Sequence, residues 1–380
     1  MSPTPQTPDG DPWLLTPGPL TTSSAVKRAM LHDLGSRDQA FITLTQRVRT
    51  GLLRIANGSA AHTCIPVQGS GTYAVEAMLG TLLPRDGRLL NLVNGAYGRR
   101  VSRICGLLGR QYMELSVAED QPVDPAQMDR ALAADARITH VHLVYCETTS
   151  GILNPLPEIA TVVARHKRAL LVDAMSAFGA LPVDVGLPGI QAVAASSNKC
   201  LEGVAGLGFC VATTEALRAA VGNAHSLSLD LHDQWQALER NGQWRFTPPV
   251  QCLLALDQAL NELEQEGGPS ARLRRYGDNC AVLVAGMRAL GFVPFLPADV
   301  QAPIIVTFLM PLDPAFRFEL FYDGLHRRGF VIYPGKLTGR DTFRIGCIGR
   351  INESVMHGLL QAVREVLSEM GVRLPLAAWA

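Results

Sequence analysis

Ala192-Val-Ala-Ala-Ser-Ser-Asn-Lys-Cys-Leu-Glu-Gly-Val-Ala-Gly-Leu-Gly-Phe209 is the stretch that decides how this chain is read. A short apolar run ends in Ser196, Ser197, Asn198 and then Lys199. A glycine-spaced segment follows, and a second apolar run extends from Gly208 to Ala212. The pattern predicts strand, turn, strand, with one lysine at the exit of the first strand. Strand ends are where α/β proteins gather their ligands. A lone loop lysine is ordinarily a solvated surface group, so its meaning depends on its neighbours.

Upstream, Ala169-Leu-Leu-Val-Asp-Ala-Met-Ser-Ala-Phe178 places Asp173 at the end of a predicted buried parallel strand. A buried carboxylate is costly unless it is paired or hydrogen-bonded. An aspartate and a lysine at the ends of nearby strands are what pyridoxal phosphate needs. The amine condenses with the aldehyde, and the carboxylate keeps a proton on the pyridine nitrogen so that the ring accepts electrons. Asp173 also fits a helix N-cap after a strand. A third piece, Thr63 to Leu79, carries Gly69-Ser70-Gly71-Thr72 between an apolar run and a helix pattern. Ala74, Val75, Met78, Leu79 and Leu82 form the apolar stripe of that helix. Backbone N–H groups at such a turn can cradle a phosphate, although the same residues also make a common tight turn. No Gly-Lys-Ser/Thr follows, which excludes a Walker-type loop.

These residues belong to a longer series: Leu15 to Thr22, Asn94 to Gly98, Cys146 to Pro155, Val172 to Ser176, Ser196 to Cys200, Arg245 to Pro248, Tyr333 to Thr338 and Phe343 to Gly349. In this order and at these intervals the chain resembles the class V, fold-type I pyridoxal-phosphate-dependent aminotransferases. Within that family it is similar to the branch of phosphonate catabolism that moves the amino group of 2-aminoethylphosphonate to pyruvate, giving phosphonoacetaldehyde and L-alanine.

The resemblance implies an α/β fold: a mostly parallel, seven-stranded-type sheet sandwiched by helices, with a smaller α+β C-terminal domain. It implies pyridoxal phosphate held by Lys199 and Asp173, with Ser70, Gly71, Thr72, Tyr97, Thr148 and Ser196 around it and Tyr97 stacked on the ring. Pro17, Gly18 and Arg344 would face the substrate. Thr247 would cross a dimer interface to the partner's cofactor, so a homodimer with shared sites is expected. The segment His32 to Arg37 and Cys347 depart from the pattern of the close relatives.

Read on their own, several of these residues keep a second meaning. The Thr148 and Thr149 hydroxyls fit local caps, and Tyr97 reads as a loop tyrosine. Phe343, Ile345 and Cys347 alternate with Arg344, so Arg344 is either an exposed sheet-face arginine or an anion clamp making paired hydrogen bonds. No spacing separates a phosphonate donor from a carboxylate one. An alanine– or serine–glyoxylate-type aminotransferase is therefore the alternative. A pyridoxal phosphate lyase with a reactive loop cysteine, and a non-catalytic cofactor- or phosphonate-binding protein, are more distant ones.

Composition narrows the classes further. Lys plus Arg equals Asp plus Glu at 34 each, so net charge gives no reason to expect a polyanionic partner, and no basic stripe suggests nucleic acid. No uncharged apolar run is long enough to cross a bilayer. The eight cysteines are scattered without a Cys-x-x-Cys pair, which suggests buried free thiols in a cytoplasmic protein and no metal site.

Along the chain, residues 1–12 are Pro/Thr-rich and read as a disordered tail. Residues 13–265 read as the cofactor-binding domain and 266–380 as the α+β domain. Helices are expected over 41–57, 100–109, 157–168, 250–266, 271–290, 318–329 and 353–370. Strands are expected over 88–93, 139–145, 293–295, 304–309, 331–333 and 342–347. The segment 217–242 reads as helical or irregular.

Overall fold

A computed structural model describes residues 6–376. Its central sheet has seven strands: β1 (His62–Gln68), β2 (Arg88–Val93), β3 (Gln111–Ser116), β4 (Ile138–Val144), β5 (Ala169–Asp173), β6 (Ile190–Ser196) and β7 (Leu207–Thr213). Their order is β1-β7-β6-β5-β4-β2-β3. Only β7 runs antiparallel to its neighbours, β1 and β6; every other pairing in this sheet is parallel. The inner strands are apolar almost throughout because helices cover both faces of the sheet.

Besides two six-residue helices, Ser24–Ala29 and Thr214–Ala219, the helices are α1 (Gln39–Ile55), α2 (Gly71–Leu82), α3 (Ala96–Leu107), α4 (Pro125–Ala134), α5 (Leu156–Arg165), α6 (Leu231–Asn241), α7 (Val250–Glu266), α8 (Pro269–Ala289), α9 (Phe318–Arg327) and α10 (Glu353–Glu369). One hydrophobic cluster lies between the sheet and α1, α4, α5 and α7, and another between the sheet and α2 and α3. In each βα unit the chain leaves a strand's C-terminal end and turns into a helix. The ends of β4, β5 and β6 therefore open on one edge of the sheet.

A smaller three-stranded sheet, β8 (Ile305–Leu309), β10 (Thr342–Gly346) and β9 (Tyr333–Pro334), packs with α8, α9 and α10 around a second core. Phe343 stacks on Phe308 at 5.6 Å and meets Phe292 edge-on at 5.5 Å. That aromatic cluster takes one face of β10, and Arg344, the next residue, is directed to the other. Trp13 and Leu15 also pack with this core, because Trp13–Leu14 pairs in parallel with Phe330–Val331.

Several expectations need correction. Residues 6–12 do not trail free. Thr7 is buried, and Lys27 binds Asp9 and Asp11 at 2.9 and 2.5 Å. Two ion pairs and a turn closed at Thr7 hold a segment whose composition alone suggested disorder. The rest of the expected tail, residues 1–5, lies outside the described residues. Residues 293–295 contribute only a bridge, Pro294 to Phe308, since proline lacks the N–H that a ladder needs. The run 331–333 is divided between two sheets. Strand β3 was not expected: it lies at the sheet edge and is largely exposed, so it lacks the apolar signal of its neighbours.

Candidate active site

The end of β6 turns sharply, and Ser197 secures the turn. Its hydroxyl donates to the carbonyls of Val204 and Leu207, and the N–H of Glu202 donates to the Lys199 carbonyl at 2.8 Å. Lys199 thus points into a cavity of about 200 Å³ at the C-terminal edge of the sheet. The same cavity is lined by Gly18, Ser70, Gly71, Thr72, Tyr97, Thr148, Asp173 and Ser196. These residues come from six separate stretches of the chain, and the β4, β5 and β6 ends bring them together.

Burial pushes the Lys199 amine below its ordinary value, and Arg344 adds to this against the opposing pull of Tyr97, Cys200 and Asp173. A depressed amine is more often neutral, which is the form that attacks a carbonyl. Burial pushes the Asp173 carboxyl up to about 6; the Met175 N–H bonded to it opposes this, and the charge of Glu147 adds to it. The Met175 N–H donates to Asp173 Oδ1 at 2.9 Å, so a local cap and a place in the cavity are both true of this residue.

Gly71 opens α2, and Ser70 precedes it without making a side-chain cap bond. The first N–H groups of the helix are thereby left for an anion. Arg100 donates to Thr72 Oγ1 at 2.9 Å and brings a guanidinium to the cup. A Cβ added at Gly71 would come to 2.4 Å from Met175 Sδ, so the approach to the cup is already narrow. A phosphate cup, an amine and a carboxylate on one wall are a donor set that fits pyridoxal phosphate.

Tyr97 is not in a loop. It occupies the first turn of α3, which starts at Ala96, four residues earlier than the sequence suggested. The cap comes from far along the chain: Glu147 Oε2 accepts the Tyr97 and Gly98 N–H groups at 3.1 and 3.3 Å, and Thr149 Oγ1 accepts from Ala96 N at 2.9 Å. Thr149 is therefore a cap, whereas Thr148 faces the cavity. Arg344 is not exposed: it is 2% accessible and donates to the Thr148 carbonyl at 2.9 Å and to that of Pro334 at 3.1 Å. Pro17 reaches the site through its carbonyl, which accepts from Lys199 Nζ. Thr247 does not line this cavity; it lies with Phe246 and Tyr73 in a separate groove. His32 to Arg37 and Cys347 do not line it either.

The sequence reading missed Arg100, Glu147 and Lys336. Arg100 lies one helical turn after Tyr97, with its guanidinium 4.7 Å from the ring centre. That spacing becomes legible only once α3 is started at Ala96. Lys336 reaches the same ring from the smaller sheet, at 5.4 Å.

The pattern of the family described as aminotransferase class-V matches residues 20–313. A 2-aminoethylphosphonate–pyruvate transaminase of Pseudomonas putida (strain GB-1) is 55% identical over 361 residues, covering 95% of this chain and 98% of that one. A protein of Burkholderia lata called 2-aminoethylphosphonate–pyruvate transaminase 2 is 53% identical, covering 95% and 96%. Among solved structures, pyridoxamine–pyruvate aminotransferase from Mesorhizobium loti superposes with a TM-score of 0.88 at 25% identity, covering 97% of this chain and 95% of that one. By its sequence pattern, its near full-length relatives and its fold, the chain belongs to the class-V aminotransferase family.

Proposed function

We propose that this protein is a pyridoxal-phosphate-dependent aminotransferase that moves the amino group of 2-aminoethylphosphonate to pyruvate, yielding phosphonoacetaldehyde and L-alanine. The observation that carries this reading is one cavity holding Lys199, Asp173 and the Ser70–Thr72 cup in a chain 55% identical, over 95% of its length, to a transaminase of that name.

When bound, pyridoxal phosphate supplies an electron-accepting ring beside the donor nitrogen. Lys199 Nζ would hold the cofactor by its aldehyde and, once freed by the donor amine, would serve as the acid/base that moves a proton between the donor carbon and the cofactor carbon. Asp173 would hold a proton on the ring nitrogen. Ser70, Gly71, Thr72 and Ser196 would hold the cofactor phosphate end and its surroundings, Tyr97 would stack on the ring, and Thr148 would offer it a hydroxyl. Pro17 and Gly18 bound the substrate side, and Arg344 clamps the substrate anion.

Thr247, which lies in a groove outside this chain's own cavity, would serve the partner's cofactor phosphate in a homodimer with shared sites. A division into 13–265 and 266–380 is supported by the smaller core, whose buried residues lie mostly beyond 280, although Leu15 joins that core and Tyr276, Ala302, Ile304 and Ile348 join the larger one. A cytoplasmic place is supported by eight free cysteines, none in a disulfide. No helix among the described residues is long and apolar enough to cross a membrane. A lyase acting through a reactive thiol is disfavoured, since Cys146, the cysteine that lines the cavity, is pushed well above its ordinary value by burial, and Cys280, lowered by its hydrogen bond with Cys347, does not line it.

The test is the absorption of the purified holoenzyme with 2-aminoethylphosphonate and no keto acid. Bleaching of the visible band, with phosphonoacetaldehyde in the products, is expected. A band that ignores this amine but bleaches with alanine or serine moves the donor to the glyoxylate branch.

A further inference from the structure

Substrate specificity in this site turns on how much positive charge meets the donor's anionic end. Arg344 brings one guanidinium, but two of its N–H donors are already bonded to the carbonyls of Pro334 and Thr148. Those bonds fix its plane, and its three other N–H groups have no partner among the described residues. Two oxygens of a carboxylate can be met that way. A phosphonate offers three oxygens and carries between one and two negative charges near neutral pH, by analogy with a phosphate ester.

A second cation stands across Tyr97. Lys336 follows β9, the strand beside Arg344 in the smaller sheet, and its Nζ lies 5.4 Å from the Tyr97 ring centre. It has no carboxylate partner among the described residues. Its loop is tied to the segment that follows β3: Glu119 Oε2 accepts from Thr338 N at 3.0 Å and from Thr338 Oγ1 at 3.3 Å. Glu119 is itself held by Arg99 at 2.7 Å. The loop therefore has anchors on both sides, and Lys336 lies between them.

Burial alone raises the Tyr97 phenol, yet Lys199 and Lys336, helped by Thr148 and Arg100, bring it below its ordinary value. The field at this hydroxyl is positive. Arg100 is engaged at the phosphate cup and Lys199 is the reacting amine, which leaves Lys336 as the uncommitted charge.

We propose that Lys336 is a specificity-determining residue that binds the donor's phosphonate together with Arg344, supplying the charge that a phosphonate uses and a carboxylate does not. The inference rests on the donor assigned above. The ammonium is a point charge on a flexible stem, suited to an anion that moves in and out with each turnover.

The experiment compares holoenzyme Lys336→Gln and Lys336→Arg with wild type in two half-reactions, one with 2-aminoethylphosphonate and one with L-alanine. Lys336→Gln is expected to lower kcat/KM for 2-aminoethylphosphonate by about 10- to 100-fold, chiefly through KM. The ratio of phosphonate to alanine efficiency should fall at least about tenfold, and Lys336→Arg should recover most of it. Inhibition of the alanine half-reaction by methylphosphonate should weaken in parallel. Equal losses with both donors, or no loss with either, overturn the proposal. A wild-type enzyme that reacts with alanine but not with 2-aminoethylphosphonate overturns the donor assignment, and this proposal with it, before any variant is made.

Discussion

Lys199 Nζ donates a hydrogen bond to the carbonyl of Pro17, a residue 182 positions earlier in the chain. The N-terminal segment that carries Pro17 is itself held by Trp13–Leu14 pairing with Phe330–Val331 of the smaller core. An amine on the large sheet is thus aimed by backbone anchored on the smaller core, and movement of that core would be felt at Lys199 Nζ.

Replacing Lys199 by Ala should reduce turnover by more than about a thousandfold, since both the covalent attachment and the proton carrier are lost. The fold should persist. Burial already works against the Lys199 charge, so its removal relieves a desolvation cost. Product formation and the visible band measure the first effect, and light scattering checks that the assembly is unchanged. Near-normal turnover would show that Lys199 does not hold the cofactor.

Gly18 has φ +112°, and a Cβ there would come to 2.6 Å from Lys199 Cδ and 2.8 Å from the Asn198 carbonyl. Gly18→Ala therefore combines backbone strain of about 1–3 kcal/mol with a direct push on the lysine stem. The expected result is at least a tenfold loss of kcat with only a small fall in thermal midpoint, read by kinetics beside calorimetry. An active variant would mean that the Pro17–Pro19 turn yields easily.

Asp173 gives a pH signature. Its carboxyl is raised to about 6 in the cofactor-free protein, so burying it costs stability once it ionises. Protonated in both states, it costs nothing below about pH 4; the penalty grows as pH rises toward 6 and is complete above it. Asp173→Asn should therefore stabilise the cofactor-free protein at pH 7 by up to about 3 kcal/mol and leave it nearly unchanged at pH 4. The same variant should bind pyridoxal phosphate more weakly, since a protonated ring nitrogen loses its anion. Denaturant titrations at the two pH values, with and without cofactor, check both parts. A destabilised cofactor-free variant at pH 7 would contradict the burial argument.

Arg272 is fully buried and donates to Glu266 at 2.9 and 3.0 Å and to the Cys200 carbonyl at 2.9 Å. It supports the turn that carries Lys199 from below. Arg272→Met should cost about 3–5 kcal/mol, because it leaves Glu266 and Glu202 facing too little positive charge. The exposed pair Arg54–Glu264 offers the comparison: Arg54→Met should cost about 1 kcal/mol or less. Urea midpoints of the two variants decide it, and equal effects would mean that burial does not set the cost.

Local sequence determined a good deal of this protein. The apolar runs before Asp173 and Lys199, and the helix stripe behind Ser70–Thr72, fixed the central strands and the cup, because burial on both faces leaves an unmistakable composition. The alternation of Phe343 and Ile345 told which way Arg344 would turn, since Phe343 had to join an aromatic core. Other features are non-local and left no such mark. The start of α3 depends on Glu147, fifty residues beyond Tyr97, because the cap that satisfies its N–H groups comes from another strand. Strand β3 is polar at the sheet edge and carries no burial signal. Lys336 became visible only when its loop was found tied to Glu119, since an exposed lysine means little until its distance to a ring is known. Periodicity and composition report what a residue is buried among. The tertiary structure alone decided which distant charges meet, because electrostatics acts through space and not along the chain.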